Sequence, residues 1–139
     1  MEIRLATSDT DLSAAAELLL QLRPQFSHAA LLRQIRAQQE DGYQVAIALV
    51  DGIPVAVAGF VINRKLAWGK HIYVDDLVTD QNHRSSGAGK ALVSWLKHYG
   101  RENNCEQLHL DSGVQRFAAH RFYLREGFDI TSHHFATTL

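Results

Sequence analysis

Between Tyr43 and Ile62 the chain is apolar and rich in β-branched residues, and this stretch restricts the fold more than any other. Its length raises the question of a membrane span, but Asp51-Gly52 and Pro54 interrupt it. Asp-Gly between two apolar runs signals a hairpin, because both residues tolerate the positive φ of a two-residue turn. The stretch therefore reads as two antiparallel strands, Tyr43 to Val50 and Ile53 to Ile62. Pro54 favours an irregular start to the second, since it donates no ladder hydrogen bond.

The rest of the chain can be placed around this pair. Ile3 and Leu5 alternate with polar neighbours, as a first strand would. Ser8, Asp9 and Asp11 offer caps for a helix through Leu12, Ala15, Leu18, Leu19 and Leu22, closed by Pro24. Ser27 can cap a second helix, with Ala30, Leu31, Leu32 and Ile35 apolar, ending near Asp41-Gly42. A third strand, Lys70 to Thr79, is followed by the polar break Asp80-Gln81-Asn82-His83. A helix from about Gly87 to Asn103 carries the apolar stripe Leu92, Val93, Leu96 and Tyr99. A strand at Gln107 to Asp111, a helix from about Val114 to Glu126 and a final strand around His133 to Thr138 complete the order. This is a mixed α/β (α+β) arrangement, and 139 residues without a linker or repeat predict a single domain, 1–139.

Several function classes are disfavoured. A formal net charge of -1 argues against binding nucleic acid by bulk phosphate neutralisation. One cysteine, Cys105, allows no intramolecular disulfide and no Cys-x-x-Cys zinc spacing. The N-terminus shows no apolar signal core, so a cytoplasmic protein away from membranes is expected. Eight histidines invite a metal, but neither His109 with Asp111 nor His133-His134 has a convincing ligand spacing, and no metal is expected. A histidine on the final strand would serve better in binding or proton relay.

The segment Arg84-Ser85-Ser86-Gly87-Ala88-Gly89-Lys90 opens the third helix. Glycines there permit left-handed backbone and close approach, and helix N-terminal amides attract a diphosphate. Alone, the segment could equally be a structural strand-to-helix turn. A P-loop would need glycine at Arg84 and Ser or Thr at Ala91; a dinucleotide fingerprint would need Gly or Ala at Leu92. Both fail. The segment instead resembles the acetyl-CoA loop of the GNAT superfamily of N-acetyltransferases, Gln/Arg-x-x-Gly-x-Gly/Ala. The preceding Ile72 to Asp80 is similar to that family's donor strand. Ala119-His120-Arg121-Phe122-Tyr123-Leu124-Arg125-Glu126-Gly127-Phe128 is similar to its later segment Ala-x-x-Phe-Tyr-x-x-x-Gly-Phe. Where the family often has Asn, three residues before Ala119, this chain has Arg116.

The resemblance implies a GNAT fold, a central mixed, mostly antiparallel sheet flanked by helices. It implies acetyl-CoA as co-substrate and direct attack of a primary amine on the thioester. Backbone groups of Leu77, Val78 and Thr79 would bind the pantetheine arm, and those of Arg84, Ser85, Ser86, Gly87, Ala88, Gly89 and Lys90 the pyrophosphate. Ala119, His120 and Arg125 are the later motif's candidates for cofactor binding, with the role of His120 open; Arg125 and Lys90 could meet the nucleotide phosphates or equally be solvated charges. Tyr123 is the candidate general acid, with packing beside the cofactor as the alternative. Asp75 and Asp76 are candidates for the base; on a regular strand they would face opposite ways, and a bulge, which the resemblance implies is frequent here, would change that. Either could instead attract a cationic substrate or cap a backbone kink.

The acidic pair favours a small cationic amine. Asp-Asp-Leu-Val and the His-rich tail, shared with aminoalkylphosphonate-acetylating relatives, favour a phosphonate, for which Arg64, Lys65 and Lys70 are the available cations. A protein or peptide amine and a catalytically silent CoA-binding regulatory module are the alternatives. The resemblance also implies a homodimer.

Overall fold

A computed structural model describes residues 1–139. β1 (Glu2–Leu5), α1 (Asp9–Leu19) and α2 (His28–Glu40) precede the meander β2 (Gln44–Val50), β3 (Ile53–Lys65) and β4 (Gly69–Thr79). α3 (Ala88–Glu102), β5 (Gln107–Leu110) and α4 (Phe117–Arg125) follow. Met1–His109 forms one compact unit and Leu110–Leu139 a second, smaller one.

The Asp-Gly turn forms as expected, with Asp51 at φ 51° and Gly52 at φ 77°. Both central residues are left-handed, which matches the twist of the strands they join. β1, β2, β3 and β4 pair antiparallel in sequence order, and β5 lies beside β4. The Glu106 N–H donates to the Lys70 carbonyl at 2.7 Å, tying the opening of β5 to the opening of β4. A strand-helix-strand crossover produces that parallel arrangement. The sheet is therefore mixed and mostly antiparallel. Pro54 has the predicted effect: Ala48 pairs with Ala56 but Leu49 with Pro54, so Val55 is the extra residue.

β2 is buried on both faces. Val45, Ile47 and Leu49, with Val57 of β3, pack against Leu12, Ala15, Ala16, Leu19, Leu31 and Ile35 of α1 and α2. On the opposite face Phe60 meets Trp95 and Tyr99 of α3 edge-on. Ser8 and Ser27 cap their helices by accepting from the Asp11 and Ala30 amides, both at 3.1 Å. α1 stops at Leu19, before Leu22, because the chain tightens there: Leu22 and Arg23 both donate to the Leu19 carbonyl.

In the smaller unit α4 begins at Phe117, not Val114, because Arg116 N–H closes a turn on the Gly113 carbonyl at 3.0 Å. Gly127 at φ 90° ends the helix, and Phe128 N–H returns to the Tyr123 carbonyl at 3.0 Å. The strand expected around His133 to Thr138 is absent, and residues 129–139 form no strand ladder. β-branched composition describes a side chain suited to a pleated surface, and it makes no strand without a neighbour to pair with. Ile130, Phe135 and Leu139 are accordingly exposed.

Candidate active site

The site begins with one inserted residue. Val74 pairs with Phe60 and Asp76 with Gly59, so Asp75 has no partner and forms a bulge in β4. One extra residue reverses the parity of everything after it. Without it Asp76 would share the α3 face with Val74; with it Asp76 turns toward α1 and α2. Val78 follows and packs against the α1–α2 core.

Asp76 is held from two directions. Arg23 Nε and Nη2 donate to its Oδ1 at 3.0 and 2.9 Å. The Tyr43 hydroxyl donates to its Oδ2 at 2.6 Å. Burial first, and then the Asp76 charge, pushes the Tyr43 phenol far above its ordinary range, so it stays a donor. Tyr43 reaches this position because Gly59 has no side chain: a Cβ there would collide with the ring and hydroxyl. Arg23 Nη2 also donates to the Asp75 carbonyl at 3.2 Å. The Asp75 side chain remains solvent-accessible. Partial desolvation, and next the Asp76 charge, raises its carboxyl above the usual range, against the pull of Arg23. Arg23, Tyr43 and Asp76 line a cleft of about 190 Å³ between the α1–α2 segment and β4, with Phe26, Gln34 and Gln38.

Beyond Asp76, Leu77, Val78 and Thr79 pair on one side with Ala58, Val57 and Ala56. The four residues of β5 cannot flank all eleven of β4, and they start at its opening end. The other edge of Leu77 to Thr79 therefore keeps backbone groups for an extended ligand. The chain then enters a 3-10 turn, Gln81–His83, anchored by Gln21: its amide donates to Asp80 Oδ1 at 2.9 Å and accepts from Gln81 N–H at 3.1 Å. The Gln21 bond, and then His83, holds the Asp80 carboxyl below its ordinary range.

α3 opens from Gly87 at φ 82°, which supplies no side-chain cap, and its first turn has no acid. α1 and α2 spend a serine on the same task. Ser85 is also left-handed, at φ 75°, which no glycine signals in the sequence. Arg84, Ser85, Ser86, Gly87 and Lys90 are exposed, while Ala88 is buried and anchors the helix. Ser86 Oγ accepts from the Ala88 amide at 3.3 Å, and the other amides of the first turn fit a diphosphate. The residues present therefore suit an acyl-CoA, with β4 for its arm and the α3 N-terminus for its phosphates.

The smaller unit carries the later motif. Tyr123 packs edge-on against Phe122 and Phe128. Burial pushes its phenol up, with Arg116 opposing, so it is a weaker acid than an ordinary tyrosine but is protonated at neutral pH. His120 Nε2 lies 2.7 Å from the Gly113 carbonyl and steadies the loop before α4. Ala119 is half-buried and Arg125 exposed on that helix. His134 Nδ1 is 3.7 Å from Asp111 Oδ2.

Some expectations change. Arg64, Lys65 and Lys70 lie at the β3–β4 hairpin, where Arg64 pairs with Lys70 and Lys65 sits 4.3 Å over Trp68. Lys70 is five residues from Asp75, about 17 Å along a strand. The cation that meets the acidic pair is instead Arg23. His71, fully buried at 1% exposure, sits 2.9 Å from the Gly69 carbonyl through Nδ1, and His109 stacks on Trp68. No group of three or more His, Cys, Asp or Glu is arranged to hold a metal ion. No helix is long and apolar enough to cross a membrane.

The sequence profile of the acetyltransferase (GNAT) family matches residues 12–128. The chain belongs to this family. Its similarity to the uncharacterized N-acetyltransferase YhdJ of Bacillus subtilis is 29% identity over 131 residues, covering 93% of this chain and 92% of that one. Against the aminoalkylphosphonate N-acetyltransferase of Salmonella typhimurium it is 32% identical over 66 residues, 48% of this chain and 43% of that protein. Among solved structures, aminoglycoside N-acetyltransferase AAC(6')-Iy in complex with CoA superimposes with a TM-score of 0.84 at 20% identity, over 99% of this chain and 93% of that one. At that identity the likeness is one of fold, and the GNAT architecture expected from the three resembling segments is the one observed.

Proposed function

We propose that this chain is a cytoplasmic N-acetyltransferase, working as one domain, that moves acetyl from acetyl-CoA to a primary amine of a small molecule. The observation that carries this reading is the bulge at Asp75. It leaves an accessible carboxylate at the start of the strand segment that leads into α3. Asp76 has both carboxylate oxygens taken by Arg23 and Tyr43, so the role of base falls to Asp75.

In this reading Asp75 removes a proton from the ammonium, directly or through water, and the neutral amine attacks the thioester carbonyl. The C–N bond forms as the C–S bond breaks. A backbone N–H on Leu77 to Thr79 steadies the developing oxyanion. Amides of Arg84 to Lys90 hold the pyrophosphate, and Ala119, His120 and Arg125 of the smaller unit are the cofactor-binding candidates that the family resemblance implies. Tyr123, kept protonated by burial, gives its proton to the departing thiolate, and the second proton shed by the attacking nitrogen as the amide forms restores the phenol, directly or through water. A small acceptor is favoured by the size of the cleft at Asp76, about 190 Å³ against roughly 300 to 1,000 Å³ for typical ligand pockets; Asp75 adjoins it in sequence and is not part of its lining. It is also favoured by the structural neighbour AAC(6')-Iy in complex with a bisubstrate analogue, CoA-S-monomethyl-acetylneamine.

The test is CoA thiol release from acetyl-CoA across polyamines, amino sugars, aminoalkylphosphonates and N-terminal peptides. Stimulation by one small-amine class supports the reading. Stimulation by peptides alone moves the acceptor to protein amines. Acetyl-CoA binding without stimulation by any amine would identify a silent CoA-binding module.

A further inference from the structure

The turn after α1 makes contacts that acetyl transfer, as described so far, does not use. Arg23 spans a bulge, which is the kind of backbone irregularity a regular ladder cannot hold in place. Its Nε and Nη2 bind the Asp76 carboxylate, and Nη2 also takes the Asp75 carbonyl at 3.2 Å. Tyr43 closes the other side of Asp76, in the space Gly59 leaves. Two residues earlier, Gln21 bonds Asp80 and Gln81. One short turn thus grips both ends of the segment Asp75 to Gln81. A planar guanidinium can serve a carboxylate and a carbonyl together, whereas an ammonium cannot match that fork.

We propose that Arg23 is a positioning residue for acetyl transfer, holding the β4 bulge so that the Asp75 carboxylate points at the incoming amine. This rests on Asp75 acting as the base. The charges facing Asp75 are Asp76 on its own strand and Arg23 from the turn after α1, with the Tyr43 phenol beyond Asp76. Arg23 therefore acts in two separable ways: its charge favours the ionised Asp75 carboxyl, and its fork fixes the backbone.

The experiment labels the full-length chain with 13C at aspartate Cγ and identifies the Asp75 resonance by its loss in Asp75→Asn. Arg23→Gln is expected to move the Asp75 titration midpoint to higher pH. It should lower kcat about 10- to 100-fold, the cost of a misplaced catalytic group, while leaving KM for acetyl-CoA unchanged. Arg23→Lys keeps the charge and loses the fork, so the midpoint stays near wild type while kcat still falls about tenfold. Should Arg23→Gln fail to fold, Arg23→Lys carries the test through kcat and faster amide exchange at Asp75 to Leu77. A folded Arg23→Gln with unchanged midpoint and unchanged kcat, or Arg23→Lys with full kcat and unchanged exchange, overturns the proposal. The titration needs no acceptor. A wild-type chain that acetylates nothing but shows the Arg23-dependent midpoint would contradict the base role and leave the Arg23–bulge coupling standing.

Discussion

As the proposed base, Asp75 must be ionised to accept a proton, yet partial desolvation and the Asp76 charge resist its ionisation. Because the folded carboxyl is raised above its unfolded value, its contribution to stability is fully present below the ordinary carboxylate range. That contribution is lost as pH rises through the folded pKa. Asp75→Asn is therefore expected to raise Tm at neutral pH, with the difference from wild type vanishing in acid, and thermal melts across pH would check this. The same variant should lower kcat by about 10²- to 10⁴-fold in the thiol-release assay. Tyr123→Phe should cost kcat by a similar factor and leave acetyl-CoA affinity unchanged, measured by calorimetry. Asp75, Asp76 and Tyr123 stood out in the sequence because an acid pair in an apolar strand and an aromatic motif are local signals. Arg23, Tyr43 and Gly59 did not. Their importance lies in meeting Asp76 across 17 to 53 positions of chain, and no local spacing encodes that meeting.

At the scale of elements, the apolar runs, the serine caps and the Asp-Gly turn were legible because each rests on a short-range rule. The bulge was legible only through the family resemblance, since one unpaired residue changes neither composition nor hydropathy while it turns Asp76 to the other face. Gly59→Ala should destabilise the protein by about 1–3 kcal/mol, the usual cost of overpacking, as its methyl displaces the Tyr43 ring; urea denaturation measures it. Gly87→Val places a β-branched residue at φ 82°, a backbone conformation costing about 1–2 kcal/mol. Acetyl-CoA affinity should fall about tenfold, read by calorimetry. The misread final strand shows the converse limit. Thr, Phe and Ile in residues 130–138 satisfy β propensity, but a strand requires a paired neighbour.

At the scale of the whole molecule, the element order indicated a mixed α/β class, the three resembling segments indicated the GNAT architecture, and the family profile agrees over residues 12–128. The homodimer implied by resemblance is a proposal at this scale, and light scattering should return the mass of two chains, a one-chain mass contradicting it. Acceptor identity was the least legible property, since the α1–α2 segment that lines the cleft carries no motif. The central claim, acetyl transfer to an amine nitrogen, is tested most directly by following the acetyl group. The protein would be incubated with acetyl-CoA labelled in the acetyl carbonyl and with the most stimulating amine. The account predicts one labelled amide formed for each CoA thiol released. Label recovered only as free acetate, or retained entirely in acetyl-CoA bound to the protein, would contradict it.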